Sequence, residues 1–228
     1  MRWLGQYLHA QGITVHGVRL AGHGTTDYHN LAHIRWLDWY GSVLDGYHLL
    51  RQTCDRVVIV GHSMGGFLTL LAGASVPVDG LVIMASPLIF KTRLIELAFL
   101  FKYVRRFFDG SDRTGLQERV REEQARRNEP VQGRIRYDTW STAGVAQMHA
   151  LSKEACACLP KITAPMCLIY STGDHQAAYE SMALIAGQIR SKVVEQHTLH
   201  ISDHNLMLDQ ERDTVFQLVW DFIHDLKA

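Results

Sequence analysis

The stretch V-V-I-V-G-H-S-M-G-G-F-L-T-L-L-A-G-A-S, residues 57–75, lies in a run, residues 57–78, that contains no Asp, Glu, Lys or Arg. About 20 apolar residues suffice to span a bilayer as a helix, so the run is long enough for that. Its interior argues otherwise. The first four residues are β-branched, which favours an extended strand, and Gly61, Gly65 and Gly66 follow with His62 and Ser63 between them. The pattern predicts a short buried strand at residues 57–60, a tight turn, and a buried helix starting near Met64. Parallel strands covered on both faces are continuously apolar in this way, where a half-buried strand would alternate.

The turn spells G-H-S-M-G, residues 61–65, the G-x-S-x-G pattern of a nucleophile elbow. There a serine is held on a strained strand-to-helix bend. The flanking glycines, Gly61 and Gly65, are expected because any side chain would collide with neighbouring backbone. The serine oxygen stands next to the helix N-terminus, whose free N–H groups and positive dipole end favour negative charge. The bland alternative is a glycine-rich turn with a bystander serine.

The 228 residues suit one domain with a substantial core. Lys plus Arg equals Asp plus Glu at 23 each, so no net field draws the chain to nucleic acid or acidic lipid. Trp3, Leu4, Tyr7 and Leu8 are spaced as one face of a helix, and Gln6, His9 and Gln11 interrupt any signal-peptide core. No export signal and no stable membrane insertion are expected. Cys54, Cys156, Cys158 and Cys167 lack the paired spacing of a zinc site or a disulfide framework, which predicts reduced thiols in a cytoplasmic protein.

Strand-like runs at residues 12–20, 57–60, 80–86, 166–170 and 193–199 alternate with helical patterns from Trp36, Phe67 and Ser181 and a last one at residues 214–226. This alternation predicts an α/β fold, a mostly parallel sheet with helices on both faces. One connection is too long for a single crossover helix: about seventy residues separate Ser86 from Pro160. Residues 1–86 and 160–228 are therefore expected to form the core, and residues 87–159 a helical cap. The cap opens with L-I-E-L-A-F-L-F-K-Y-V-R-R-F-F, expected to be cap core or the lining of an acyl pocket. Membrane-surface contact is the third possibility. It continues with L-Q-E-R-V-R-E-E-Q-A-R-R, expected to present a solvated face.

A serine hydroxyl needs a histidine base, and that histidine needs an acid to fix its tautomer. Thirteen histidines make the count uninformative, so position decides: catalytic groups belong in loops after the C-terminal ends of parallel strands. Asp174, in S-T-G-D-H, and His204, in I-S-D-H-N, occupy two such loops, and the order Ser63, Asp174, His204 suits the elbow. Asp203 adjoins His204, but adjacent side chains rarely face each other, and Asp209 is expected to begin the last helix. His62 is expected to pack beside the elbow. His175, His197 and His200 lack the cysteine or carboxylate cluster that would complete a metal set with His204. Neither metal nor cofactor is expected.

The chain resembles the carboxylesterase and monoacylglycerol-lipase branch of the α/β-hydrolases, particularly the small bacterial carboxylesterases, over nearly its whole length. The likeness is carried by R-L-A-G-H-G-T (19–25), W-L-D-W (36–39), G-H-S-M-G-G (61–66), D-G-L-V-I-M-A-S-P (79–87), I-T-A-P-M-C-L-I-Y-S-T-G-D (162–174) and S-D-H-N-L-M-L-D-Q-E-R-D (202–213). The resemblance implies Ser63 as nucleophile, Asp174 as orienting acid, His204 as base and the Met64 N–H as an oxyanion donor. It also implies a small-molecule ester as substrate, with short or medium acyl chains or a monoacylglycerol. Thioesterase, amidase or acyltransferase chemistry on the same triad is the nearest alternative. A non-catalytic binding relative is the alternative from another class.

The likeness has departures. H-Q-A-A-Y after the acid lacks the usual Val-Pro continuation, and Asp203 stands where glycine is common. Members of the branch also open with further strands and an H-G-[FG] loop that supplies the second oxyanion donor, whereas Met1 falls in the helix after that loop. The expectation is a gap inside the sheet between residues 12–20 and 57–60, with Met1 internal to a longer natural protein.

Overall fold

The computed structural model describes residues 1–92, 95, 97–101, 103–110, 115–133 and 136–226. The chain enters through α1 (Arg2–Ala10), a 3-10 turn at Tyr28–Ala32 and α2 (Trp36–Arg51). It then runs through β1 (Val58–His62), α3 (Met64–Ser75) and β2 (Gly80–Met84). The long connection holds α4 (Ala98–Phe101), β3 (Phe107–Asp109), α5 (Leu116–Arg126), β4 (Thr139–Ser141) and α6 (Thr142–Cys158). The chain closes with β5 (Met166–Ser171), α7 (Ser181–Gln188), β6 (Val194–Leu199) and α8 (Arg212–Asp225).

Four parallel strands form the main sheet in the order β1-β2-β5-β6, with Gly61 beside Ile83, Ile83 beside Leu168 and Leu168 beside Gln196. Every residue of β2 and β5 is buried. Successive side chains of a strand point to opposite faces, and here both faces are covered. Leu81, Ile83 and Leu168 pack with Phe67 and Leu70 of α3 and with Leu151 and Ala155 of α6. Val82, Met84, Cys167 and Ile169 pack with Val215, Phe216, Val219 and Phe222 of α8 and with Leu4 and Leu8 of α1. Two-sided burial is why these strands read as unbroken apolar runs. Among the described residues no helix is long and apolar enough to cross a membrane.

Residues 12–20, expected as a strand, form none. The physical reason is the lack of a ladder partner. Among the described residues β1 pairs only with β2, and beyond its other edge lies a groove of about 1400 Å³ lined by Val58 and Val60 on one side and by Val15 and Val18 on the other. β-branched residues supply propensity, but a strand also needs backbone hydrogen bonds across about 4.8 Å. The segment is held by side chains instead: the Trp39 indole donates to Ala21 O at 3.1 Å, and Val18 packs on Gly46, where a Cβ would come within 2.6 Å of it.

The connection between β2 and β5 is not wholly helical, since β3 and β4 pair as an antiparallel ribbon. Of its apolar run, Leu94, Glu96 and Lys102 lie outside the described residues, and Ile95 is buried and lines the groove beside β1, as expected of core or pocket lining. Ala98 is buried, while Phe99, Leu100 and Phe101 are 54%, 55% and 52% exposed and line neither described cavity. A four-residue helix has one inward position, and the smallest side chain takes it. Phe101→Ser should therefore change stability by less than about 0.5 kcal/mol in urea denaturation. A loss above about 2 kcal/mol would mean that the ring is packed.

Candidate active site

β1 ends and α3 begins at Ser63, whose φ of 54° is one of three positive values among the non-glycine residues described. Such a conformation is uncommon for a residue with a Cβ and persists only where neighbours impose it. Two hydrogen bonds do so: Ser63 N–H donates to Met84 O at 2.9 Å, and the Ser86 hydroxyl donates to Ser63 O at 2.9 Å. The Tyr170 hydroxyl in turn donates to Ser86 O at 2.8 Å. Nothing in the elbow motif points to Ser86 or Tyr170; the end of the neighbouring strand run is where such supports belong.

Of the two motif glycines, only Gly61 is a close approach. A Cβ there would lie 2.3 Å from Thr69 Oγ1 and 2.4 Å from Gly65 O, whereas one on Gly65 would meet nothing within 4 Å. The second tight position is Gly66, where a Cβ would lie 2.6 Å from Ser86 Cβ. The expectation that Gly65 avoids a backbone clash is thus corrected. β1 meets α3 at Gly61, and α3 meets the end of β2 at Gly66.

The structure brings Ser63, Asp174 and His204 together. His204 Nδ1 lies 2.9 Å from Asp174 Oδ2, and His204 Nε2 lies 2.8 Å from Ser63 Oγ. A carboxylate can only accept, so Nδ1 carries the proton and Nε2 is left to accept from the serine hydroxyl. Asp174 and His204 are 1% and 4% exposed. Burial alone would push the Asp174 carboxyl up, but its bond to His204 and the N–H groups of Gln176, at 2.7 Å, and Ala177, at 2.9 Å, hold it below its ordinary value. The Lys91 ammonium donates to the Asp174 carbonyl. Met64, the first residue of α3, directly follows Ser63, so its N–H belongs to the helix end that has no intrahelical acceptor.

The profile of the alpha/beta hydrolase family matches residues 2–218. The chain belongs to that family. It is 26% identical to a carboxylesterase of Bacillus subtilis (strain 168), covering 99% of this chain and 87% of the relative. It is 28% identical to a thermostable monoacylglycerol lipase of Bacillus sp. (strain H-257), covering 97% and 84%. Among solved structures, one from work on the metagenome-derived lipolytic enzymes LipS and LipT superposes with a TM-score of 0.86 at 23% identity, covering 99% of this chain and 87% of that one. Paleococcus ferrophilus monoacylglycerol lipase superposes with a TM-score of 0.66 at 16% identity, covering 84% and 77%.

In this alpha/beta hydrolase the groove beside β1 runs on to the elbow, where Ser63, Met64 and His204 line it. A second cavity of about 1010 Å³ is lined by Trp39, Val145 and Leu31. His23, Met64, Trp140 and Met148 line both cavities. Apolar space thus lies on both sides of the residue that follows Ser63.

Asp203 does not face the His204 ring. Its Oδ1 accepts the N–H of His204 at 2.7 Å and that of His175 at 3.1 Å. Its own N–H donates to Asp209 Oδ2 at 2.9 Å. Asp209 therefore ties this loop and does not begin the last helix, whose N-cap is Glu211. Among the described residues the one grouping with metal-ligating donors is Cys167, Glu195 and His197. Burial and the Glu195 charge push the Cys167 thiol up to about 12, so it stays protonated at neutral pH. All four cysteines are free thiols.

His62 donates its Nε2–H to His204 O at 2.7 Å. Its ring centroid lies 5.0 Å from that of His204. Burial, with the neighbouring His204 next in size, lowers its pKa from 6.5 to about 3. Its folded value is depressed, so its contribution to stability is fully present above about pH 6.5 and is lost as pH falls toward about 3. The loss should amount to no more than about 1.4 kcal/mol per pH unit. Urea denaturation at about pH 7.5 and about pH 5 should show a smaller difference for His62→Gln than for the parent; equal differences would mean that His62 does not titrate in this way.

Proposed function

We propose that this alpha/beta hydrolase is a serine hydrolase of carboxylic esters working through an acyl-serine intermediate. The observation that carries the proposal is the hydrogen-bonded line from Ser63 Oγ through His204 to Asp174, at 2.8 and 2.9 Å. Ser63 attacks the ester carbonyl while His204 Nε2 takes its proton, and the Met64 N–H receives the developing oxyanion. The resulting imidazolium is stabilised by Asp174. His204 then gives the proton to the leaving alcohol. In the second half, a water loses its proton to His204 and attacks the acyl carbonyl, and Ser63 recovers its proton as the acid departs.

Apolar cavities on both sides of Met64 support acyl chains of short or medium length, and the names of the two Bacillus relatives support simple carboxylic esters or monoacylglycerols. Residues 87–159 act as the cap in this scheme. Trp140 and Met148, which line both cavities, are the positions at which acyl preference is set. The four free thiols support a reducing, cytoplasmic setting.

A fluorophosphonate probe tests the reading directly, because it labels an activated serine without requiring the natural substrate. Labelling is expected on Ser63, together with turnover of p-nitrophenyl esters. A folded protein that is neither labelled nor active would leave a binding role in its place. Faster turnover of acyl thioesters than of matched oxygen esters would move the reading to a thioesterase.

A further inference from the structure

The charged helix α5 does not present a solvated face all round. Arg119 Nη2 lies 3.3 Å from Asp203 Oδ2. Arg127 grips both oxygens of Asp213 at 2.8 and 2.6 Å. Just past the helix, Glu129 takes a two-pronged contact from Arg212 at 2.9 and 2.5 Å. Three charges of the connection, Arg119, Arg127 and Glu129, thus close onto the end of the chain that carries His204. Two of these contacts reach α8, and only the first reaches the loop of the proposed base.

We infer that Asp203 is a positioning residue that couples the docking of α5 to the placement of His204. The inference rests on the proposed hydrolase reading. One carboxylate, 7% exposed, serves three segments. Its Oδ1 holds the N–H of His204 and the N–H of His175, the residue after Asp174, at 2.7 and 3.1 Å. Its Oδ2 faces Arg119. Burial pushes this carboxyl up, but the N–H groups of His204 and His175 together with the His175 ring, 3.4 Å from Oδ1, keep it below its ordinary value, so it is charged at neutral pH. The backbone positions that carry the proposed acid and the proposed base are therefore tied to one anion, and a cap arginine fixes the rotation of that anion. A glycine at this position would leave all three donors to find other acceptors.

The geometry separates two variants. Asp203→Asn keeps an oxygen for the two N–H groups but turns an amide NH₂ toward Arg119; Asp203→Ala removes the acceptor altogether. Arg119→Gln breaks the cap contact from the other side. With a short p-nitrophenyl ester, Asp203→Asn and Arg119→Gln should each lower kcat by about 3- to 10-fold at unchanged KM. The double variant should be scarcely worse than the more damaging single, because both break the same Arg119–Asp203 contact. Arg119→Lys should recover part of the loss, and Asp203→Ala should lose about 10²-fold.

A readout without substrate accompanies the kinetics: the downfield proton signal of the His204 Nδ1–H bonded to Asp174 should shift or exchange faster in Arg119→Gln. Additive losses, or an Arg119→Gln protein with unchanged kcat and unchanged imidazole signal, would overturn the coupling. A shifted signal in a chain whose parent hydrolyses no ester would uphold the coupling and overturn the hydrolase reading. The reverse pattern, an active parent with an unmoved signal, would do the opposite.

Discussion

Ser63→Ala and His204→Ala should each lower kcat by about 10⁴- to 10⁶-fold, and the double variant should be scarcely worse than either single. Non-additivity is the informative part. The hydroxyl and the imidazole act on one proton across 2.8 Å, so losing one leaves the other without a task. Asp174→Asn should cost about 10⁴-fold, because an amide NH₂ toward Nδ1 selects the wrong imidazole tautomer. Asp203→Asn should be milder by about 10²-fold or more, since Asp203 touches the backbone of His204 and not its ring. Steady-state kinetics on a p-nitrophenyl ester, with circular dichroism to verify folding, decides the matter. Equal damage from the two Asp→Asn changes would remove Asp174 from its role, and fully additive losses at Ser63 and His204 would dissolve the triad.

The second large effect is at the glycines of the elbow, where the two motif positions should behave oppositely. Gly61→Ala places a methyl 2.4 Å from Gly65 O and 2.3 Å from Thr69 Oγ1. Thr69 can rotate only by giving up its bond to Gly65 O at 2.9 Å, and the carbonyl cannot yield unless α3 moves. Overpacking of this kind costs about 1 to 3 kcal/mol, and the shift carries Ser63 with it, so kcat should fall along with stability. Gly65→Ala meets no atom within 4 Å and replaces glycine in the first turn of α3, where alanine is favoured by a part of the about 1 kcal/mol it is worth in a helix interior. Urea midpoints for the two variants should therefore move in opposite directions. Comparable destabilisation would mean that the helix backbone itself, and not the packing of β1 on α3, requires both glycines.

The legible part of the fold was the part whose cause is local. β2 and β5 were visible because two covered faces demand apolar residues at every position, and α3 because an uncharged, glycine-opened run following a β-branched segment has few other outcomes. Residues 12–20 show the limit. Their β-branched pattern is real, but a strand is a relation between two segments, and no partner lies within reach of their backbone across the groove. The charged helix α5 presents the expected solvated face at Glu118, Arg121, Glu122 and Arg126. What its charge pattern could not show is the other side, where Arg119 and the following Arg127 and Glu129 meet Asp203, Asp213 and Arg212 from segments more than eighty residues away.

For the site, the sequence alone determined the candidates: one serine in an elbow motif, and an acid and a histidine in loops that follow strands, because a parallel sheet puts all such loops at one edge. The tertiary structure alone decided what supports them. Three such supports are the Ser86 hydroxyl on Ser63 O, the His62 ring on His204 O and the Asp203 carboxylate on two N–H groups and Arg119. None has a pattern of its own. Each depends on a distance between residues remote in the chain, and such distances exist only once the sheet, α5 and the loops have packed.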